Sequence, residues 1–204
     1  MISFVYFDLG GVLVFDLMDL GRWDKFKRHL GVTEAQDIAY DELYDLYEPD
    51  MHKGKRDTDT LIPLITERFG IKFPKGYSLL DDIVSNFEKN DAIWPIVKKA
   101  QRSCRIGMLT NMYPHMLEKI KSRGLLQDVE WDVIIDSSVV GVQKPETEMF
   151  ELAEKKTGVD GGEILFVDNS PRNIDKAKEF GWQTFLYSRA KLKESNAALS
   201  ALFQ

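Results

Sequence analysis

Cysteine is almost absent from this 204-residue sequence, because Cys104 is the only one. A single thiol excludes both an intramolecular disulfide and a cysteine-based zinc site. No apolar run approaches the length that crosses a bilayer, and the N-terminus lacks the basic flank and apolar core of a signal peptide. The formal net charge of −6 argues against a general nucleic-acid binder, which needs a basic face. These absences favour a cytoplasmic protein that binds neither nucleic acid nor a membrane.

The strongest strand signal lies almost at the N-terminus, in residues 4–13. Four apolar residues precede Asp8, and two glycines, Gly10 and Gly11, follow shortly after it. A short, wholly apolar run bounded by turn residues is typical of a strand that is buried on both faces of a parallel sheet. Open α/β sheets bind their ligands at the carboxyl ends of strands, so Asp8 is a candidate functional residue. The alternative is that Asp8 only opens a turn.

A helical block follows this strand. The spacing of apolar residues predicts four helices, at 17–30, 33–47, 58–69 and 78–89, with a polar loop at 48–57. Gly31 and Gly70 stand at two of the helix ends, and Thr33 is placed to cap the start of the second helix. The sequence therefore predicts a small all-helical domain at 15–90, inserted into a second unit made of residues 1–14 and 91–204.

The rest of the chain alternates between predicted helices and strands. Helices are predicted at 92–102, 114–122, 145–156 and 171–180, and strands at 105–109, 133–135, 163–167 and 183–187. This alternation predicts an α/β fold with a doubly wound parallel sheet and right-handed crossovers.

Two regularities in this alternation point to one sheet edge. Several strands end in small polar or acidic residues, and Pro114, Pro145 and Pro171 stand where helices are predicted to begin. Carboxylates that bind a cation and helix N-termini that bind an anion are therefore expected along the same edge. Such an edge suits a metal-assisted reaction on a phosphate.

Four segments resemble the motifs of the haloacid dehalogenase-like (HAD) superfamily of hydrolases, which magnesium-dependent phosphatases dominate. In chain order they are residues 8–13 (DLGGVL), 106–111 (IGMLTN), 141–145 (GVQKP) and 164–170 (ILFVDNS). The resemblance covers nearly the whole chain. It implies a Rossmann-like core and identifies the block at 15–90 as the helical cap that many of these enzymes insert after the first motif.

The resemblance also implies a role for each motif residue. Asp8 matches the nucleophile, which forms an aspartyl-phosphate, and Lys144 matches the motif lysine that balances the charge of the phosphoryl group. The implied phosphate-binding residues are Gly10, Gly11, Thr110, Asn111 and Lys144. The implied cofactor is Mg²⁺, held by the carboxylates of Asp8 and Asp168 and by the backbone carbonyl of Gly10. Outside these ligands, the resemblance assigns the orienting of Asp168 and of metal-bound water to Asn169 and Asn173.

Gly10 departs from the family pattern. Phosphatases of this family usually carry an aspartate two residues after the nucleophile, and it protonates the leaving group and then activates water. General acid–base catalysis contributes about 10²–10⁴-fold. Turnover is therefore expected to be slow, to need good leaving groups, or to depend on another residue such as Asp16 or a cap residue. If the missing carboxylate limits the enzyme, Gly10→Asp is expected to speed the departure of poor leaving groups, unless a positive φ at this position makes the aspartate strained.

Some of these residues also have plainer interpretations. Lys144 on its own resembles a solvated surface lysine, although its place directly before a proline in the third motif favours the catalytic role. Asn173 belongs equally well to the first turn of a helix. Asp136, Ser137 and Ser138 stand at the functional edge but are expected only to cap a helix or form a turn.

Outside the motifs, His29, His52 and His115 show no metal-ligand spacing and are expected at the surface. The apolar residues of the helical block, Trp23 among them, are expected to form its core. The basic loop at 52–56 is expected to set substrate choice, with a simple solvated loop as the alternative.

The residues and the resemblance together favour a Mg²⁺-dependent phosphomonoesterase that acts on a small phosphorylated metabolite through an aspartyl-phosphate intermediate. Two alternatives remain open. A metal-free haloacid dehalogenase, with Asp8 displacing halide, agrees with Gly10 but leaves Asp168 without a cation to bind. A catalytically weak member of the fold that binds a phosphorylated ligand or partner also agrees with the lost carboxylate.

Overall fold

A computed structural model describes residues 1–18 and 21–203. Its strands are β1 (Phe4–Phe7), β2 (Val14–Phe15), β3 (Glu88–Lys89), β4 (Arg105–Thr110), β5 (Val133–Asp136), β6 (Ile164–Asp168) and β7 (Gln183–Leu186). Five of them form one sheet in the order β5-β4-β1-β6-β7, and every pair of neighbours is parallel. The predicted parallel α/β fold is confirmed.

The helices lie on both faces of this sheet and in the segment before α5. They are α1 (Arg22–Leu30), α2 (Asp37–His52), α3 (Leu61–Phe69), α4 (Leu79–Ser85), α5 (Trp94–Ser103), α6 (Met116–Ser122), α7 (Ser137–Val140), α8 (Thr147–Thr157), α9 (Pro171–Glu179) and α10 (Leu192–Ala201). Short 3₁₀ turns occur at Glu34–Gln36, Thr58–Thr60, Gly161–Glu163 and Arg189–Lys191. None of the helices in the described ranges is long and apolar enough to cross a membrane.

Strand β1 is the centre of the sheet, and its four residues are completely buried. Val5 and Phe7 pack into the core on one face of the sheet, with α5, α6 and α10. Phe4 and Tyr6 pack into the core on the other face, with α8 and α9. A strand that is covered on both faces must be apolar throughout, which explains the uninterrupted run in the sequence.

Helices α1–α4 lie in the segment of the chain between β2 and β3. Strand β2 leaves the sheet region directly before this segment, and β3 returns to it directly afterwards. The two strands pair in antiparallel fashion, with Val14 opposite Lys89 and Phe15 opposite Glu88. The segment also contacts the parallel-sheet part of the molecule through the pairs α2–α7 and α4–α6.

The first half of the chain differs from prediction in its helix bounds. Within the predicted helix 17–30, α1 begins only at Arg22, and residues 19 and 20 lie outside the described residues. Helix α2 continues into the predicted polar loop as far as His52, with Pro49 inside it, so the loop prediction was wrong for residues 48–52. Tyr44 and Met51 of this helix are buried, and we attribute the continuation past proline to this packing. The helix predicted at 78–89 ends at Ser85, since residues 88–89 pair with β2.

The second half differs at the prolines and at the C-terminus. Helices α6 and α8 begin two residues after Pro114 and Pro145, so neither proline is a first helical residue, and only Pro171 matches that expectation. Helix α10 was not predicted. It packs on α5, where Lys99 Nζ donates to the Ser200 carbonyl oxygen at 2.9 Å and Leu199 is fully buried.

Candidate active site

Three polar residues leave the sheet at its carboxyl edge. Asp8 follows β1 directly, Thr110 is the last residue of β4, and Asp168 is the last residue of β6. The register places Phe7 of β1 beside Met108 and Val167, so the three strands reach this edge together. Thr110 and Asp168 are buried, and the side chain of Asp8 is about nine-tenths buried. The apolar strands thus hold these polar groups against the core and away from bulk water.

Lys144 joins the two carboxylates of this edge. Its Nζ lies 2.9 Å from Asp8 Oδ1 and 2.6 Å from Asp168 Oδ2, and its side chain is only 1% exposed. Burial acts to lower the pKa of Lys144, but the carboxylates of Asp168 and Asp8 outweigh it and the pKa is raised. The alternative of a solvated surface lysine was therefore wrong, because a buried ammonium group needs such partners.

The charges of this cluster do not balance. Two buried carboxylates, on Asp8 and Asp168, share a single cation. Burial, with a smaller contribution from the charge of Asp168, raises the pKa of Asp8 to about 7 against the lowering effect of Lys144. Asp8 Oδ1 also accepts the Leu9 backbone N–H at 2.7 Å. The site is thus one positive charge short of neutrality when both carboxylates are ionised.

Two asparagines fix the geometry of the cluster. Asn173 Nδ2 lies 3.2 Å from Asp168 Oδ1 and 3.1 Å from Asp168 Oδ2, and the Ser170 N–H donates to Asp168 Oδ1 at 2.7 Å. Asn111 clamps the backbone of Lys144, since its Nδ2 donates to the Lys144 carbonyl at 2.9 Å and its Oδ1 accepts the Lys144 N–H at 2.8 Å. The resemblance implied only a phosphate-binding role for Asn111, so this clamp was missed.

A cavity of about 350 Å³ lies over this cluster, between the sheet edge and helices α1–α4. Its floor includes the motif residues Asp8, Gly10, Asn111, Lys144, Asn169 and Asn173. Its opposite wall includes Trp23, Tyr44, Glu48, His52, Ile83 and Phe87. Trp23 packs on Phe26 and Tyr44, so it belongs to the core as predicted and also lines the cavity.

A polar network on the cavity wall was missed from the sequence. The Tyr44 hydroxyl donates to the Tyr113 hydroxyl at 2.8 Å, and that hydroxyl donates to Glu48 Oε1 at 2.9 Å. The His52 ring stacks on Tyr113 at 5.0 Å between centroids. Tyr44, Glu48 and His52 are four residues apart along α2, a spacing that places them on one helix face. That spacing was the available signal, but the polar loop predicted from residue 48 concealed it.

The histidines divide into two groups. His29 and His115 are exposed, as predicted, but His52 lies half-buried in the cavity wall, so its placement at the surface was wrong. Burial lowers the pKa of His52 to about 4. In the basic loop that follows, Lys53 Nζ pairs with Glu146 at 2.5 Å, so this lysine reaches residues close to Lys144.

The residues after β5 form a cap, as predicted. Asp136 Oδ1 accepts the Ser138 N–H at 2.8 Å and its hydroxyl at 2.7 Å, and this carboxylate begins α7. The Ser137 hydroxyl accepts the Met112 N–H at 2.9 Å, which ties this turn to the loop after β4. These contacts are structural, and they support the loop that carries Asn111.

Mg²⁺ fits the donors of this site. No group of three or more His, Cys, Asp and Glu side chains in the described ranges is arranged to hold a metal. Magnesium, however, commonly takes one or two protein carboxylates and completes its shell with water and substrate phosphate. Asp8 and Asp168 supply two oxygen donors with an unbalanced negative charge, and Gly10 lines the same cavity. The residues present therefore suit a hard divalent cation.

Comparison with curated proteins finds relatives over part of the chain. (S)-2-haloacid dehalogenase of Pseudomonas sp. (strain YL) is 30% identical over 89 residues, which are 44% of this chain and 38% of that protein. GMP/IMP nucleotidase YrfG of Escherichia coli (strain K12) is 32% identical over 84 residues, which are 41% of this chain and 36% of that protein. The aligned parts are thus well under half the length of either relative.

Comparison with solved structures shows the same fold. HAD family enzyme bt-2542 from Bacteroides thetaiotaomicron superposes with a TM-score of 0.78 at 18% identity and covers 93% of this chain and 95% of that chain. L-2-haloacid dehalogenase from Xanthobacter autotrophicus superposes with a TM-score of 0.63 at 20% identity and covers 100% of this chain and 89% of that chain. A family-level profile of haloacid dehalogenase-like hydrolases matches residues 2–181. With most of its length matched by this profile on the fold described above, the chain belongs to the haloacid dehalogenase-like hydrolase family.

Proposed function

We propose that this hydrolase is a Mg²⁺-dependent phosphomonoesterase that acts on a small phosphorylated metabolite through an aspartyl-phosphate on Asp8. The observation that carries the proposal is the position of Lys144 Nζ between the buried carboxylates of Asp8 and Asp168. A dianionic phosphate approaches a carboxylate nucleophile only where positive charge balances both. Lys144 supplies one such charge, and the excess negative charge of the site supports a divalent cation as the other.

In this mechanism an oxygen of Asp8 attacks phosphorus, the ester P–O bond breaks, and water then hydrolyses the aspartyl-phosphate. Lys144, the Thr110 hydroxyl and the Asn111 N–H hold the phosphoryl oxygens. Asp8, Asp168 and the carbonyl of Gly10 would hold Mg²⁺, which when bound neutralises charge on the transferred group. We assign the cap to residues 15–90 and the catalytic core to residues 1–14 and 91–204.

The cavity supports a small organic leaving group. Its volume of about 350 Å³ lies at the lower end of the usual range for small-molecule sites. Trp23, Ile83 and Phe87 offer apolar surface, while Tyr113 and Glu48 place hydrogen-bonding groups on the same wall. Two related proteins agree with this chemistry. One structure of bt-2542 is described as a complex with magnesium and inorganic phosphate, and YrfG is named a GMP/IMP nucleotidase.

The second candidate is a haloacid dehalogenase, which the match to the Pseudomonas enzyme and the glycine at position 10 favour. Against it stands the charge of the site. A haloacid carboxylate would add a further negative charge beside Asp8 and Asp168, with Lys144 as their single common cation. A phosphatase with a bound dication balances these charges better.

Hydrolysis of p-nitrophenyl phosphate in Mg²⁺ and in EDTA tests the proposal. We expect the wild type to be active in Mg²⁺ and inactive in EDTA. Asp8→Asn should show no turnover, and Asp168→Ala should need a higher Mg²⁺ concentration. Asp175→Asn is the matched control, because Asp175 lies exposed on α9 and pairs with Lys178, and it should behave as wild type. Release of chloride from 2-chloropropionate in EDTA, without phosphatase activity, would instead establish the dehalogenase.

A further inference from the structure

We propose that Asp16 provides the general acid and base that position 10 lacks, an assignment that rests on the phosphatase function proposed above. The Asp16 carboxylate occupies the space beside the Cα atom of Gly10. A Cβ built on Gly10 would overlap Asp16 Oδ2, and it would lie 3.4 Å from Asp16 Cγ and 3.9 Å from Asp16 Cβ. The carboxylate of Asp16 therefore fills the volume into which a side chain at position 10 would extend.

The backbone conformation does not explain the glycine. Gly11 has a φ of +74°, in the left-handed region, whereas Gly10 is not among the positive-φ glycines of the described residues. An L-residue at position 10 would meet no such strain from its φ. The alternative that a positive φ strains Gly10→Asp was therefore wrong, and the obstacle is the carboxylate of Asp16.

A tight turn brings Asp16 back to Gly10. The N–H groups of Leu13 and Val14 donate to the Leu9 carbonyl at 2.9 and 3.0 Å, and the Gly11 N–H donates to the Val14 carbonyl at 2.7 Å. The chain thus reverses directly after Asp8 and runs out along β2, which ends at Phe15. Asp16 is the next residue, so the pairing of β2 with β3 fixes its position beside Gly10.

The Asp16 side chain is held with one oxygen toward the cavity floor. Its Oδ1 accepts the Met18 N–H at 2.9 Å, and its Oδ2 is the atom that a Cβ at Gly10 would overlap. Asp16 lines the same cavity as Asp8. The charge of Asp16 also acts on Glu48 in the opposite wall of the cavity. Burial is the main cause of the raised pKa of Glu48, and the negative charge of Asp16 raises it as well.

The proton transfers balance over the two steps. In the first, an Asp8 oxygen bonds to phosphorus, the ester P–O bond breaks, and the departing oxygen takes the proton of Asp16. In the second, Asp16 as carboxylate takes a proton from water while the water oxygen bonds to phosphorus. The bond between phosphorus and Asp8 breaks, inorganic phosphate leaves, and Asp16 is again protonated for the next substrate.

The test compares two substrates of similar shape, p-nitrophenyl phosphate and benzyl phosphate, which release a good and a poor leaving group. For Asp16→Asn, which keeps the volume of the side chain, we expect kcat/KM for benzyl phosphate to fall about 10²-fold and that for p-nitrophenyl phosphate less than about 10-fold. Loss of the base should also produce a burst of p-nitrophenolate equal to the enzyme concentration, because the aspartyl-phosphate then accumulates.

Relocation of the carboxylate is the sharper arm of the test. Gly10→Asp alone places two carboxylates in the space of one and should lower activity on both substrates. The double variant Gly10→Asp/Asp16→Ala should hydrolyse benzyl phosphate at least about tenfold faster than Asp16→Ala does, because one carboxylate again occupies that space.

Equal losses on the two substrates for Asp16→Asn, with no burst, would overturn the assignment and leave Asp16 a structural role. The same conclusion follows if the double variant recovers nothing while its circular-dichroism melt matches that of Asp16→Ala. A wild-type protein that hydrolyses neither phosphate in Mg²⁺ is a different outcome, since it overturns the phosphatase function itself and this assignment with it.

Discussion

Replacing Lys144 by methionine tests the charge balance of the site most directly. Methionine keeps an unbranched apolar side chain of similar length and removes the ammonium group. The two carboxylates of Asp8 and Asp168 would then remain buried without a cation. We expect a large loss of stability from this one change, together with a loss of activity.

The magnitude follows from the two contacts that Lys144 makes. At an effective dielectric constant of about 20, unit charges 2.6 and 2.9 Å apart attract by about 6 kcal/mol each before any desolvation cost. Desolvation of the buried ions offsets several kcal/mol per ion. The net effect of removing one partner from a buried ion pair is about 3–5 kcal/mol of unfolding free energy, which we expect for Lys144→Met.

The assay is equilibrium unfolding in urea, in EDTA, for wild type, Lys144→Met and the control Lys53→Met. Lys53 pairs with Glu146 at 2.5 Å, but the two side chains are 23% and 32% exposed, so the control should lose less than about 1 kcal/mol. Added Mg²⁺ should restore part of the loss in Lys144→Met, since a cation that binds only the folded state stabilises it. A loss in Lys144→Met no larger than that in Lys53→Met would refute the reasoning.

Two further predictions concern stability. Burial lowers the pKa of His52 from 6.5 to about 4, so the unfolded chain binds more protons between these values and stability falls as the pH drops through that window. His52→Gln should remove up to about 3 kcal/mol of that fall in urea titrations, and an unchanged pH dependence would contradict the buried neutral ring. Gly11→Ala should cost about 1–3 kcal/mol, because its φ is +74° and its new methyl group overlaps Asn169. Gly158→Ala is the control, because its φ is +69° and its new methyl group would have no atom within 4 Å, so it should lose less unfolding free energy. Equal losses in the two variants would show that the Asn169 side chain moves aside without cost.

Local patterns were sufficient for the framework of the fold. The run before Asp8 is apolar at every position because β1 is covered on both faces, so its burial follows from its composition. The alternation after residue 91 predicted the remaining parallel strands, with bounds within one or two residues. Helix ends were less accurate at Pro114 and Pro145, where a proline was expected to begin a helix, and at residues 48–52, where polar composition predicted a loop. Proline restricts the backbone near it, but packing along the whole element decides where a helix ends.

The wall of the candidate site depended on contacts that local patterns do not contain. Tyr113 follows β4 and Glu48 lies on α2, so the hydrogen bond between them joins residues 65 positions apart. His52 gave no metal-ligand signal, and its burial became visible only when α2 was placed against the loop after β4. Such contacts depend on how separate elements pack against each other, and the spacing of residues within one element does not predict that packing.

Asp8, Lys144 and Asp168 could be chosen from the sequence by their motifs, because Asp8 and Asp168 stand at the ends of strands that the sequence predicts and Lys144 directly precedes Pro145 in the third motif. The same sequence showed that position 10 lacks a carboxylate and named Asp16 as one possible substitute among several. Only the tertiary structure places the Asp16 carboxylate in the space beside Gly10. The reason is physical: that position results from the turn after Asp8 and from the pairing of β2 with β3, in which Phe15 lies opposite Glu88, 73 residues further along the chain.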